Sequence, residues 1–213
     1  WSLETGDCLQ AFAPTSHPGV VWATCLDPDA CILATGSQDG FARLWMVSTG
    51  KCVHSLFCDG SGVSSVAFAP DGQHVSAGSK TGVVKLWCVV TGECVWVLEG
   101  HVDDVISMVF APMRWPASQP TALLTGSDDH TARWWNLDSR TCEHIWREGA
   151  GDIVSVAFAH DGAHVVTGME EKTDECGVVH VLLIYDFLTG SCTNKGMRHE
   201  DRIWSAAFSP SGE

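Results

Sequence analysis

Tyrosine is nearly missing from this chain. Its 213 residues hold one Tyr against ten Trp, a bias that points to a repeated position reserved for Trp. Basic side chains are scarce too: 12 Lys and Arg stand against 26 Asp and Glu, a formal net charge of −14. Nonspecific nucleic-acid binding needs Lys and Arg to release counterions, so no nucleic-acid partner is expected. An electrostatic hold on anionic lipid goes with it. No apolar run approaches the roughly 20 residues that span a bilayer; the longest, Val178 to Tyr185, is broken by His180. The opening WSLETGDC does not read as a signal peptide, and because it starts on Trp1 a continuation before it is expected. Catalytic motifs are missing as well. There is no G-x-S-x-G, no H-E-x-x-H, no Gly-rich phosphate loop and no EF-hand pattern. The ten Cys include no C-x-x-C pair, so no metal, cofactor-binding or catalytic residue is assigned. Unpaired thiols suit a reducing cytoplasm or nucleus.

What is present is a repeat. FARLW, VVKLW and TARWW end at Trp45, Trp87 and Trp135; LLIYD puts Tyr185 in the same register, and Trp1 lies one period earlier. The intervals of 44, 42, 48 and 50 residues are those of stacked or radial repeat folds. A cysteine follows seven residues after each marker: Cys8, Cys52, Cys94, Cys142 and Cys192. Two more registers run in phase, VAFAPDG with VFAP, VAFAHDG and AAFSPSG, and LATGS with VSAGS, LLTGS and VVTGM. Apolar residues such as Val63, Val66, Phe68 and Val75 alternate in short runs bounded by Gly, Asp, Pro or Ser. That pattern predicts about four short strands per period and no helix. Asp71-Gly72 and Asp161-Gly162 suit tight hairpins. A four-stranded unit cannot bury both faces alone and must pack on its neighbours.

These registers resemble the WD40-repeat β-propeller family over essentially the whole chain. The resemblance rests on the period, the Gly-His or its equivalent before the first strand, the F-x-P-D-G hairpin, the [LV]-x-[TS]-[GA]-S strand and the Trp closing the third strand. The Trp-Asp dipeptide is poorly kept, as Trp45-Met46, Trp87-Cys88 and Trp135-Asn136, and only Tyr185-Asp186 carries the Asp. The resemblance implies an all-β propeller of four-stranded antiparallel blades. Four complete blades are expected from about His17, Asp59, His101 and Gly149 onward, with partial flanking strands after Trp1 and up to Phe208. The expected organisation is one propeller segment over 1–213, with repeat units 1–45, 46–87, 88–135, 136–185 and a partial 186–213. Seven or more blades are expected in all, the missing ones lying outside this chain.

The resemblance also implies a buried relay in each blade: His before strand a, Ser or Thr in strand b, Asp in the b–c turn and Trp in strand c. Each of these polar groups needs a partner once buried. His17, Thr35, Asp39 and Trp45 fill it in the first blade, and His101, Thr125, Asp129 and Trp135 in the third. The second has Asp59, Ser76, Thr81 and Trp87, and the fourth Gly149, Thr167, a widened turn and Tyr185. Lower local stability is expected in the second and fourth, at about 1–3 kcal/mol per unpaired group.

The function implied is a non-catalytic scaffold or adaptor that binds proteins or peptides with neutral or basic contact surfaces through its face loops. The alternatives are an enzyme propeller with a carboxylate-lined site and a reader of modified or ubiquitin-like proteins. Candidate contact residues on the face of the b–c turns are Gln38, Lys80, Asp103, Asp104, Asp128 and Asp152. Trp22 and Trp204 share a position held elsewhere by Ser64, Ile106 and Val154; they read equally as aromatic anchors and as packing between blades. Two insertions stand out. Ala111 to Pro120, with Arg114 and Trp115, is a contact element or an ordinary loop; Met169 to Gly177, with Glu170, Glu171, Asp174 and Glu175, is a basic-partner site or a solvated loop. The in-register cysteines read as small buried hydrophobes.

Overall fold

The computed structural model describes residues 4–8, 10–11, 17–112, 122–147, 151–173 and 177–209. They form four antiparallel sheets of four strands each, in sequence order, and no helix occurs among them. The first blade is β1 (Val21–Leu26), β2 (Ile32–Ser37), β3 (Phe41–Met46) and β4 (Lys51–Phe57). The second is β5 (Val63–Phe68), β6 (His74–Ser79), β7 (Val84–Cys88) and β8 (Cys94–Leu98). The third is β9 (Val105–Phe110), β10 (Ala122–Ser127), β11 (Ala132–Asn136) and β12 (Thr141–Trp146). The fourth is β13 (Ile153–Phe158), β14 (His164–Thr173), β15 (Gly177–Asp186) and β16 (Cys192–His199). In each blade the four strands are a to d.

Local chemistry makes the turns. Asp71 and Asp161 accept the backbone N–H of Gln73 and Ala163, both at 2.8 Å, and Gly72 and Gly162 take φ of 67° and 70°. In the fourth blade the insertion lengthens the b–c hairpin, continuing the ladder from Met169↔Val181 out to Thr173↔Gly177. Residues 113–121, 148–150 and 174–176 lie outside the described residues, and with them Arg114, Trp115, Gly149, Asp174 and Glu175.

The apolar core lies between blades. One cluster joins Leu44 and Ala34 to Val63, Val66 and Val75; a second joins Val84 and Leu86 to Val105 and Leu123; a third joins Leu124 and Ala132 to Ile153, Val165 and Tyr185. The glycine of each LATGS-type phrase permits this approach. A Cβ on Gly36 would come within 2.6 Å of Val63, on Gly78 within 2.7 Å of Val105, and on Gly126 within 2.7 Å of Ile153. Any side chain there would push the sheets apart.

Both flanks continue the pattern, with no strand ladder among the described residues. Ile203 is buried and sits over Gly168, 3.0 Å from where its Cβ would be. Ala206 N–H donates to Ser155 Oγ at 2.9 Å, as Val156 N–H does to Ser107 Oγ at 3.1 Å. At the other flank, Gln10 lies against Gly50 of the first blade as His54 lies against Gly92 of the second.

The cysteine expectation needs correction. Cys8, Cys52 and Cys94 are exposed, and Cys142 and Cys192 half-buried. Strand d is the outer edge of each sheet, and the ladder shifts by one residue there: Trp45 pairs with Cys52, but Leu44 with His54. The Cys52 thiol donates to its own strand at His54 O, 3.3 Å away.

Candidate interaction surface

The third blade holds the fullest relay. Trp135 Nε1 donates to Thr125 Oγ1 at 2.9 Å, Thr125 Oγ1 lies 2.7 Å from His101 Nε2, and His101 Nδ1 lies 2.8 Å from Asp129 Oδ2. A carboxylate only accepts, so the imidazole proton sits on Nδ1 and Thr125 donates to Nε2. Burial holds His101 below the ordinary imidazole value, against the pull of Asp129. Burial would raise Asp129, but hydrogen bonds from Thr131 and His101 outweigh it and keep the carboxyl below its usual range.

The first blade adds a cation to the same arrangement. Arg43 reaches both Asp39 Oδ2, at 2.7 Å, and His17 Nδ1, at 2.5 Å. His17 Nδ1 is therefore an acceptor and Nε2 the donor, 2.7 Å from Thr35 Oγ1. Trp45 Nε1 donates to Thr35 Oγ1 at 2.9 Å. Burial, then the Arg43 charge, lowers the His17 pKa.

The second blade exchanges acid and donor. Asp59 holds the His position and accepts from Thr81 Oγ1 at 2.6 Å and from Ser61 Oγ at 2.6 Å. Ser76 turns to Ala67 O and the Met108 sulfur. In the fourth blade the buried Thr167 hydroxyl has no partner among the described residues.

These relays support a face built from the b–c turns. The residue after each LATGS-type phrase is clamped to the loop leading into strand a: Gln38 N–H to Val20 O, Lys80 N–H to Gly62 O, Asp128 N–H to Asp104 O and Glu170 N–H to Asp152 O, at 2.9 to 3.1 Å. Four side chains, one neutral, one basic and two acidic, thus stand on equivalent backbone. Glu170 belongs to this set. The widened turn hid that from a reading of the insertion alone, although alignment of VVTGM with LLTGS places Glu170 opposite Asp128.

Charge is unevenly spread over this face. On the second blade the Lys80 ammonium lies 3.9 Å from the centre of the Trp22 ring, and the same ring leans on Gly62. Trp22 is 38% exposed, so it both packs across the seam and shows a surface to solvent. With Ser64 and Ile106 it lines a cavity of about 390 Å³ along the inner strands. Trp204 is 77% exposed, with the Arg202 guanidinium 4.6 Å from its ring centre. On the third and fourth blades Asp103 is exposed, and Asp104, Asp128 and Asp152 are half-buried. Asp104 accepts the Ser64 hydroxyl, Asp152 lies 3.1 Å from His130 Nδ1, and Arg202 pairs with Glu170 at 2.7 Å. Burial, then the carboxylates of Asp152, Asp104 and Asp103, pushes the Asp128 carboxyl up to about 6. Among the described residues, no group of three or more His, Cys, Asp or Glu is arranged to hold a metal ion, and no helix is long and apolar enough to cross a membrane.

Comparison with known proteins agrees with this geometry. The repeat described as WD domain, G-beta repeat matches residues 6–46, 50–88 and 92–136, more than half of the chain. A 61-residue stretch, 28% of the chain, is 41% identical to the Ribosome biogenesis protein BOP1 homolog of Caenorhabditis elegans, covering 9% of that protein. A 70-residue stretch, 33% of the chain, is 46% identical to Eukaryotic translation initiation factor 3 subunit I of Scheffersomyces stipitis, covering 19% of it. The subunit I of Pyricularia oryzae is 36% identical over 70 residues, 33% of the chain and 20% of that protein. The similarity thus spans a fifth or less of these relatives.

Proposed function

We propose, from the fact that this chain belongs to the WD40 family of G-beta repeats, that it is a non-catalytic protein-interaction scaffold whose b–c face receives a basic segment of a partner protein. The observation that carries this reading is the strained charge around Asp128, whose carboxyl is raised to about 6 by burial and by the neighbouring acids. A lysine or arginine laid among Asp103, Asp104, Asp128 and Asp152 relieves that repulsion. Lys80 repels the same cation on the second blade, so it directs a basic partner to the third and fourth. Trp22, Gln38 and Trp204 complete the proposed contact set. The names of the relatives extend the reading to a protein assembly concerned with translation initiation or ribosome biogenesis, in the cytoplasm or nucleus.

Titration calorimetry with a peptide of alternating Lys and Gly tests this. Binding requires the deprotonated Asp128, so affinity rises by up to about tenfold from pH 5 to pH 7.5. The double variant Asp128→Asn, Asp152→Asn loses both the affinity and the pH dependence. An alternating Glu and Gly peptide binding equally well overturns the proposal.

A further inference from the structure

The seam between the second and third blades departs from its sisters, on the opposite face, where the a–b and c–d turns lie. At the other seams the side chain two residues past the in-register cysteine meets a glycine of the next c–d turn: Gln10 meets Gly50, His54 meets Gly92 and His144 meets Gly190. Those glycines have φ of 67°, 71° and 67°. Here the pair is Trp96 and Arg140. Arg140 adopts a φ of 60°, a left-handed conformation costly for a side chain. Its guanidinium lies 5.7 Å from the Trp96 ring centre, and the His74 ring lies 5.5 Å from the same indole.

Beside this pair opens a cavity of about 190 Å³, lined by Trp96, His74, Phe110, Leu137, Asp71 and Asp138. Phe110 and Leu137 are buried and make an apolar floor; Asp71 and Asp138 are exposed at the rim. Asp71 uses one oxygen for Gln73 N–H, and its other is 3.7 Å from His74 Nδ1. No described residue pairs with the Asp138 carboxylate, and Arg140, committed to the indole, neutralises neither acid.

We propose that this cleft receives a lysine or arginine side chain of a partner protein. Such a side chain joins an apolar stem to a cationic head. The stem lies on Phe110 and Leu137, and the head stands between Asp71 and Asp138. The charge favours a cation: Asp138 has no ion-pair partner among the described residues and Asp71 faces only the His74 imidazole, so on a chain of net charge −14 the two carboxylates reject an acidic group and leave an uncharged one without compensation. The site lies on a different face from Asp128 and does not rest on the function proposed there.

The test is NMR titration of the whole chain with N-acetyl-arginine amide, following the Trp96 indole N–H resonance, which Trp96→Phe identifies by its loss. A saturable shift is expected, with a dissociation constant on the order of millimolar for so small a probe. Asp71→Asn and Asp138→Asn each weaken it about threefold, while Asp128→Asn leaves it unchanged. Both aspartates are exposed, so the variants retain the fold. N-acetyl-norleucine amide, which keeps the stem and lacks the charge, produces no saturable shift. The absence of any saturable shift with the arginine probe, an equal response to norleucine, or a response lost in Asp128→Asn but kept in the other two variants overturns the proposal.

Discussion

The third and fourth blades have the same strand order and the same repeat phrases, yet they are held by different forces. In the third, indole, hydroxyl, imidazole and carboxylate bond in series from Trp135 to Asp129. In the fourth, Thr167 is buried to 2% exposure with its hydroxyl unpartnered among the described residues. Apolar and aromatic packing stands in for the relay there: within the blade Phe187 lies 5.0 Å from Phe158, ring centre to ring centre, and across the seam with the third blade Phe187 lies 4.4 Å from Trp134 and Tyr185 5.7 Å from Trp146. The ladder between β14 and β15 also runs to ten pairs, against five between β10 and β11. The difference separates topology from stabilisation. A blade forms from alternation, turns and a neighbour to pack on, and the relay adds stability to a sheet already specified.

Four experiments would break or sharpen this contrast. The largest effect is expected from Asp129→Ala, which removes the acceptor of His101, Thr131 and the Val102 N–H. It should cost about 3 kcal/mol in chemical denaturation, because buried donors are left unpaired. Next, Thr125→Val should cost about 2 kcal/mol, while Thr167→Val costs nothing or gains up to about 1 kcal/mol, since its hydroxyl has no bond to lose. Equal losses at the two positions would end the comparison.

The third experiment concerns pH. His17 and His101 titrate below their ordinary value through burial, so below about pH 6.5 the unfolded chain binds protons that the native one refuses. Their contribution is complete above that value and is lost as the pH falls below it. Asp128 works the other way. Between about pH 4 and its native value of about 6 the native state holds the extra proton, so stability declines as the pH rises through that window. Asp128→Asn should therefore raise the melting temperature at pH 7.5 and leave it unchanged at pH 3.5. The smallest effect is expected at the rebuilt seam: Arg140→Gly relieves a left-handed residue and should gain about 1 kcal/mol. A loss instead would mean that the Arg140 contact with Trp96 outweighs the backbone strain.

Much of this was legible in the residues. Val63, Val66, Phe68 and Val75 announce strands by alternation, and Asp71-Gly72 announces its hairpin, because both depend on near neighbours in the chain. The Thr and Asp of the two full relays are readable as well, since Thr35 and Thr125 lie ten residues, and Asp39 and Asp129 six residues, before Trp45 and Trp135. Cys52 escapes the burial usual for its residue type because it sits at an irregularity on the outer edge strand, where no further strand among the described residues covers it. Glu170 was hidden in an insertion, although it occupies the place of Asp128. Trp96 gave no signal of its own, because its partners His74 and Arg140 belong to other strands and another blade.

By itself, then, the sequence determined the period, the strands, the turns and the choice of polar groups for each relay, because hydrogen-bonding geometry and side-chain alternation act over a few residues. Only the tertiary structure decided which charges crowd together and which side chains are shared across a seam. Asp128 carries a raised pKa because the fold buries it and brings Asp152 and Asp104 beside it from loops on two different blades, and electrostatic energy depends on distance through space rather than along the chain.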